Sequence, residues 1–231
     1  MEIGGLQKVT LIDYPGKIAA TVFTIGCNFR CPWCYSSELV LPEKIKDQPR
    51  LSEADLFNFL REKRGLLDGV VICGGEPTIH QDLPDFVQKI KKLGFLVKLD
   101  TNGSHTEALR GLIEKELIDY VAMDVKAPKE KYSFYSGINC DTDEIERSIH
   151  LLKKGKVDYE FRTTVAPGLT KKDIFDIVRW IAPAKGYFLQ EINLQKELIE
   201  PKIKKFPLIS REELQKIISK IKSSFELCQL R

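Results

Sequence analysis

The chain has 231 residues, 43% hydrophobic and 30% charged, with a formal net charge of +3. That balance is globular, and the length suffices for a core that needs no disulfides. The charge is too mild for a nucleic-acid binder, and no apolar run approaches the ~20 residues of a membrane span. The opening Met1-Glu2-Ile3-Gly4-Gly5 lacks a secretory pattern, so a cytoplasmic location is expected.

Short β-branched runs alternate with amphipathic helical segments along the chain. A strand is predicted over Ile18–Thr24, running into a loop that carries Cys27, Cys31 and Cys34. Leu51–Arg64 reads as a helix, with Ser52 and Asp55 spaced as a capping box. Gly69–Cys73 follows as a strand, and Leu83–Leu93 as a helix stopped by Gly94. Leu96–Asp100 is the third strand, after which Thr106 is expected to cap a helix reaching Lys115. Tyr120–Lys126 is the fourth strand, and a helix over Thr142–Lys154 ends at Gly155. Glu160–Val165 is the fifth, with Thr170 and Asp173 capping a helix to Ile181. Tyr187–Asn193 is the sixth, and a last helix opens at Ser210 with Glu213 and runs towards Phe225.

Strict alternation implies parallel strands joined by right-handed crossovers. Six units are too few for a closed eight-fold barrel, so the expectation is an α/β fold, an open partial (β/α)6 barrel of parallel strands with outer helices. It forms a single domain over 1–231, its core over about 18–193 and an extension over 194–231. In such folds active sites gather at the C-terminal ends of the strands. The unusual residues lie there: the three cysteines after strand one, Gly74-Gly75-Glu76-Pro77 after strand two, and Asp100-Thr101-Asn102-Gly103 at strand three. Asp124 and Lys126 end strand four, Arg162 and Thr164 lie on strand five, and Gln190 on strand six.

The spacing C-x3-C-x2-C puts three thiolates on one tight loop. A four-iron cluster normally takes four, so such a loop leaves one iron free for a substrate. A structural zinc ion wants four protein ligands, and the nearest further candidates, Cys73 and His80, belong to another unit. Cys73 reads as a small buried hydrophobe within Val70-Val71-Ile72-Cys73, Cys140 and Cys228 are isolated, and His80, His105 and His150 fit ordinary surface positions. Strand alternation places Ala122, Asp124 and Lys126 on one face, where Asp and Lys need each other or a ligand.

These residues resemble the radical S-adenosylmethionine family, whose signature is C-x3-C-x2-C with an aromatic, here Trp33, before the third cysteine. Gly74-Gly75-Glu76-Pro77 matches the family's second motif, which binds the methionyl amino group; Glu76 is expected to face that ammonium. Gly4–Gln7, Leu11–Gly16, Asp100–Gly103, Met123–Pro128 and Arg162–Gly168 resemble the branch that activates glycyl radical enzymes. The nearest resemblance is to the longer type of anaerobic ribonucleoside-triphosphate reductase activating proteins, and it extends to about Gln190. Members commonly follow the third cysteine with His-Asn-Pro; here Tyr35-Ser36-Ser37 stands where the adenine is expected.

The resemblance implies a [4Fe-4S] cluster on Cys27, Cys31 and Cys34, and S-adenosylmethionine chelating its open iron. Trp33, Tyr35, Gly74, Gly75, Glu76, Pro77, Asp100, Thr101, Asn102, Asp124, Val125, Lys126, Arg162 and Gln190 are the expected cofactor-binding residues. It further implies a monovalent cation on Asp100, Thr101 and Asp124, oxygen ligands suited to a hard ion. The expected reaction is reductive cleavage to a 5′-deoxyadenosyl radical that takes hydrogen from a glycine of a partner, the anaerobic ribonucleotide reductase, with a flavodoxin- or ferredoxin-type electron donor. Nucleic acid and membrane are not expected partners. Rival readings are a small-molecule enzyme resembling 7-carboxy-7-deazaguanine synthase, or a non-enzymatic iron–sulfur or zinc module.

Overall fold

The computed structural model describes residues 1–231 and contains one eight-stranded sheet in the order β1 to β8. The strands are β1 Ile3–Thr10, β2 Ala19–Thr24, β3 Gly69–Gly74, β4 Leu96–Thr101, β5 Tyr120–Asp124, β6 Asp158–Val165, β7 Ala184–Glu191 and β8 Phe225–Leu230. Strand β1 pairs with β2 antiparallel, and every later pair is parallel. Six main helices make the crossovers: α1 Glu53–Glu62, α2 Leu83–Lys92, α3 Thr106–Glu114, α4 Thr142–Lys153, α5 Lys171–Ile181 and α6 Arg211–Ile221. Strands β2 to β7, each followed by one of these helices, are the six expected units of the open partial barrel.

The central strands are apolar because helices cover one face and the barrel interior takes the other. Val70, Val71 and Ile72 on β3 and Val121, Ala122 and Met123 on β5 are fully buried, as are Leu56, Leu60, Ile90, Leu112, Ile149 and Ile177 on the helices.

Several local expectations change. Neither β1 nor β8 was expected, and the last helix, expected to run towards Phe225, stops at Ile221. Strand β7 begins three residues earlier than Tyr187, at Ala184. Thr106 does not cap α3; it is buried in the first turn, where its hydroxyl bonds Glu144 and Ser148 of α4. Ser52 receives the Asp55 N–H at 3.0 Å, but the reciprocal half of that box is absent, since Asp55 takes the Ser52 hydroxyl instead. The boxes at Thr170–Asp173 and Ser210–Glu213 are both complete. No helix is long and apolar enough to cross a membrane.

Candidate active site

The cysteine loop leaves β2 through Gly26, whose φ of +95° suits glycine alone at low cost. Its shape is fixed from several sides. The Arg30 guanidinium clips the carbonyls of Cys27 and Phe29 at 2.6 and 2.7 Å, and the Arg30 N–H donates to Ser136 O at 2.8 Å. From the far end of the chain, Ile199 N–H donates to Cys34 O and Glu200 N–H to Pro32 O, both at 2.9 Å. Burial pushes the Cys27 thiol up to about 11 and Cys31 up to about 12, and raises Cys34 as well. All three are therefore thiols at neutral pH, and a metal centre bound here must displace their protons.

Beside this loop, β3 ends in Gly74 and Gly75. A Cβ on Gly75 would lie 1.8 Å from Gly26 O, so the close approach of the two loops requires glycine. Glu76, although expected to face a ligand ammonium, is buried and directs its carboxylate at protein donors. It accepts from Thr78 N–H at 3.1 Å, the Thr78 hydroxyl, the Thr101 hydroxyl at 2.7 Å and Asn102 N–H at 2.6 Å. A buried carboxylate satisfied this way ties the β3 loop to the β4 loop.

On the next strands, charges alternate in a continuous chain. Lys98 pairs with Asp100, Asp100 with Arg162 at 2.7 Å, Arg162 with Asp124 at 2.8 Å, and Asp124 with Lys126 at 2.8 Å. The Lys126 ammonium then lies 5.0 Å over the Trp33 ring. Burial works against every one of these charges, yet Arg162 and Lys126 hold the Asp124 carboxyl down at about 2, and Asp100 and Asp124 keep Arg162 charged. Asp100 is also held below its ordinary value, by Arg162 and Lys98 against burial. The expected monovalent cation among Asp100, Thr101 and Asp124 does not suit this geometry. The Arg162 guanidinium bridges the two carboxylates, and the Thr101 hydroxyl is donated to Glu76.

A cavity of about 350 Å³ opens between these groups at the C-terminal ends of the strands. Its wall carries Cys27, Cys31, Cys34, Trp33, Tyr35, Gly74, Gly75, Glu76, Asp100, Thr101, Asn102, Asp124, Lys126, Arg162 and Gln190. Two expected residues are not on it. Pro77 opens a 3-10 turn, and Val125 is fully buried with its N–H on Arg162 O. Cys73, read as core, does reach the wall, as do Phe23, Phe29 and Ile192. Lys98 was overlooked, although its spacing to Asp100 is the same alternation that drew attention to Asp124 and Lys126. His80 and His105 are half-buried rather than exposed, and His105 Nδ1 lies 3.1 Å from the Ser104 hydroxyl.

The donor set fits a cluster and a zwitterionic nucleoside. The three thiols of the cysteine loop share one wall, with Cys73 apart from them on β3, and the buried Trp33 indole N–H there has no protein partner. Lys126 and Arg162 both reach the wall, ammonium and guanidinium groups suited to a carboxylate.

Comparison with known proteins agrees. A protein of Methanocaldococcus jannaschii provisionally named a glycyl-radical enzyme activating enzyme is 35% identical over 224 residues, 93% of this chain and 89% of its own. A 7-carboxy-7-deazaguanine synthase of Aquifex aeolicus is 38% identical over 80 residues, 34% of this chain and 33% of its own. The crystal structure of Streptococcus suis SuiB bound to S-adenosylmethionine superposes with a TM-score of 0.66 at 14% identity, covering 89% of this chain and 48% of that longer one. The Radical SAM superfamily pattern matches residues 21–181, and with the cysteine loop, the glycine turn and the partial barrel in place, the chain belongs to the radical SAM superfamily.

Proposed function

We propose that this chain activates a glycyl radical enzyme, most simply an anaerobic ribonucleotide reductase. When bound, the cluster with S-adenosylmethionine supplies a one-electron cleavage to methionine and a 5′-deoxyadenosyl radical. The protein's part is placement. Cys27, Cys31 and Cys34 would hold three irons, Lys126 and Arg162 would face the methionyl carboxylate, and Glu76 locks the β3 loop to the β4 loop so that backbone groups there would meet the ammonium. Tyr35 and Trp33 give the adenine an aromatic wall, and Gln190 offers an amide at the far rim.

The single observation that carries the partner reading is cavity size. At about 350 Å³ it sits near the low end for ligand sites and takes one nucleoside-sized molecule. The hydrogen donor must then come from the mouth, as a peptide loop can. The M. jannaschii relative's name points the same way. A small-molecule reaction is favoured by the A. aeolicus match and by relatives named as probable GTP 3′,8-cyclases at 23 to 27% identity, and the regular C-x3-C-x2-C spacing speaks against the deazaguanine synthase.

Anaerobic reconstitution, reduction and assay for 5′-deoxyadenosine test the chemistry, and Cys31→Ala should abolish product. Addition of the candidate reductase should then give a glycyl radical signal in electron paramagnetic resonance. A competent, reduced pair that stays silent sinks the partner assignment.

A further inference from the structure

The proposed chemistry, on which this inference rests, consumes one electron per cleavage. The cavity mouth is given over to cofactor and substrate, so the electron must reach the cysteine loop from outside. Two segments back the loop there. Ser136 and Gly137 lie against Arg30, so tightly that a Cβ on Gly137 would be 2.0 Å from Arg30 O. Ile199 and Glu200 hold Cys34 and Pro32 by their carbonyls.

The outward face of these segments is apolar at its centre. Phe134 and Phe206, 51% and 48% exposed, meet edge to face at 6.0 Å, and Leu208 follows, 45% exposed. Pro207 O accepts the Gly168 N–H at 2.8 Å, which fixes this patch to the β6–α5 loop. Beside it in the chain stand Lys202 and Lys205, both exposed and neither paired with a carboxylate, while Lys204 donates to the carbonyls of Leu194 and Lys196, and the Lys196 ammonium lies 4.3 Å over the Tyr35 ring. Of the acids in this segment, Glu197 pairs with Lys44 at 3.0 Å, and the Glu200 carboxylate accepts the Lys202 main-chain N–H at 3.1 Å. An apolar centre with the Lys202 and Lys205 ammonium groups at its edge complements an acid-rimmed surface.

We propose that the face built by Phe134, Phe206 and Leu208, with Lys202 and Lys205 on its rim, docks a small acidic protein carrying a one-electron centre. The donor is oxidised by one electron and the cluster is reduced by it; no bond forms or breaks at this face. The lysines steer the encounter, and the aromatic pair seats the donor outside Pro32 and Cys34.

The test uses the reconstituted holoprotein and an acidic two-cluster ferredoxin as probe, with calorimetric binding and deoxyadenosine formation driven by ferredoxin or by dithionite. Lys202→Glu with Lys205→Glu should weaken ferredoxin binding and raise its KM by about tenfold or more, while the dithionite-driven rate stays within about twofold. Lys216→Glu with Lys220→Glu, the same charge change on exposed positions of α6, should leave binding unchanged. Unaltered ferredoxin affinity in the first variant, or equal losses in both, overturns the proposal. If dithionite yields no product from the parent, the radical reading fails, yet the binding measurement still decides the surface. A first variant that keeps ferredoxin but loses the glycine-bearing partner would assign the face to that partner and overturn the donor.

Discussion

Glu160 is fully buried inside the barrel on β6, two residues before Arg162. Its carboxylate is met by the Arg231 guanidinium at 2.8 and 3.1 Å and by the Tyr120 hydroxyl at 3.0 Å. Arg231 is held in turn by the face of Phe188, 3.4 Å from its guanidinium carbon, and by main-chain bonds to Leu189 and Glu191. This pair keeps a second interior carboxylate from competing for Arg162, leaving that guanidinium to Asp100 and Asp124. Truncating one partner strands the other in low dielectric, so Arg231→Gln should cost about 2 kcal/mol in urea unfolding. Adding Glu160→Gln should recover most of that loss, because an amide needs no counter-ion; a double variant no more stable than the single would contradict the pairing. Little of this was legible beforehand. Asp124 and Lys126 stand out because charges two apart share a strand face, and Glu160 stands in the same relation to Arg162, yet that spacing does not reveal its actual partner. That partner, Arg231, lies 71 residues away, just past the end of β8, in a stretch for which no element was expected.

At the scale of elements, the segment Glu197–Glu200 behaves as a strap across the cysteine loop. Leu198 is buried, and the two N–H groups that follow it hold Cys34 and Pro32. Ile199→Pro removes one of those donors, which should cost about 1 kcal/mol in overall stability. Its larger effect should be on iron per chain after anaerobic reconstitution, read by colorimetric assay; full loading would show that the strap does not organise the ligands. The strap was invisible in the sequence because backbone-to-backbone bonds carry no residue preference. The capped helices were readable for the opposite reason, since Thr170 with Asp173 and Ser210 with Glu213 announce their ends by side chain. Strand β1 escaped notice because Gly4-Gly5 and Gln7-Lys8 interrupt its apolar pattern. Strand β8 follows α6 after three residues, and its polar Glu226 and Gln229, three apart, break the two-residue alternation that marks a strand.

Across the whole molecule, the convergence at the strand ends was the most legible feature, because a parallel sheet delivers every strand's C-terminal end to one place. The interior charge chain there also sets a pH dependence. Burial alone would raise Asp124, but Arg162 and Lys126 hold it at about 2, below its ordinary 3.8. A carboxyl depressed in the folded state stabilises above its unfolded value and loses that contribution as pH falls through the folded one. Asp124 therefore contributes about 2 kcal/mol near neutrality that disappears between about pH 4 and 2. Chemical unfolding across that window should show a shallower slope in Asp124→Asn than in the parent, and parallel slopes would refute the assignment.

The strap also orders events in time. Cys34 and Ile199 are separated by 199 − 34 = 165 residues, yet they are joined by a single main-chain bond. At about 5–20 residues per second, a ribosome makes the cysteine loop roughly ten to thirty seconds before it makes the segment that closes over it. During that interval the three thiols lie on a loop whose outer wall does not yet exist. A growing chain therefore offers the three thiols a second open side, which the finished fold closes with Ile199 and Glu200 while the cavity mouth stays open.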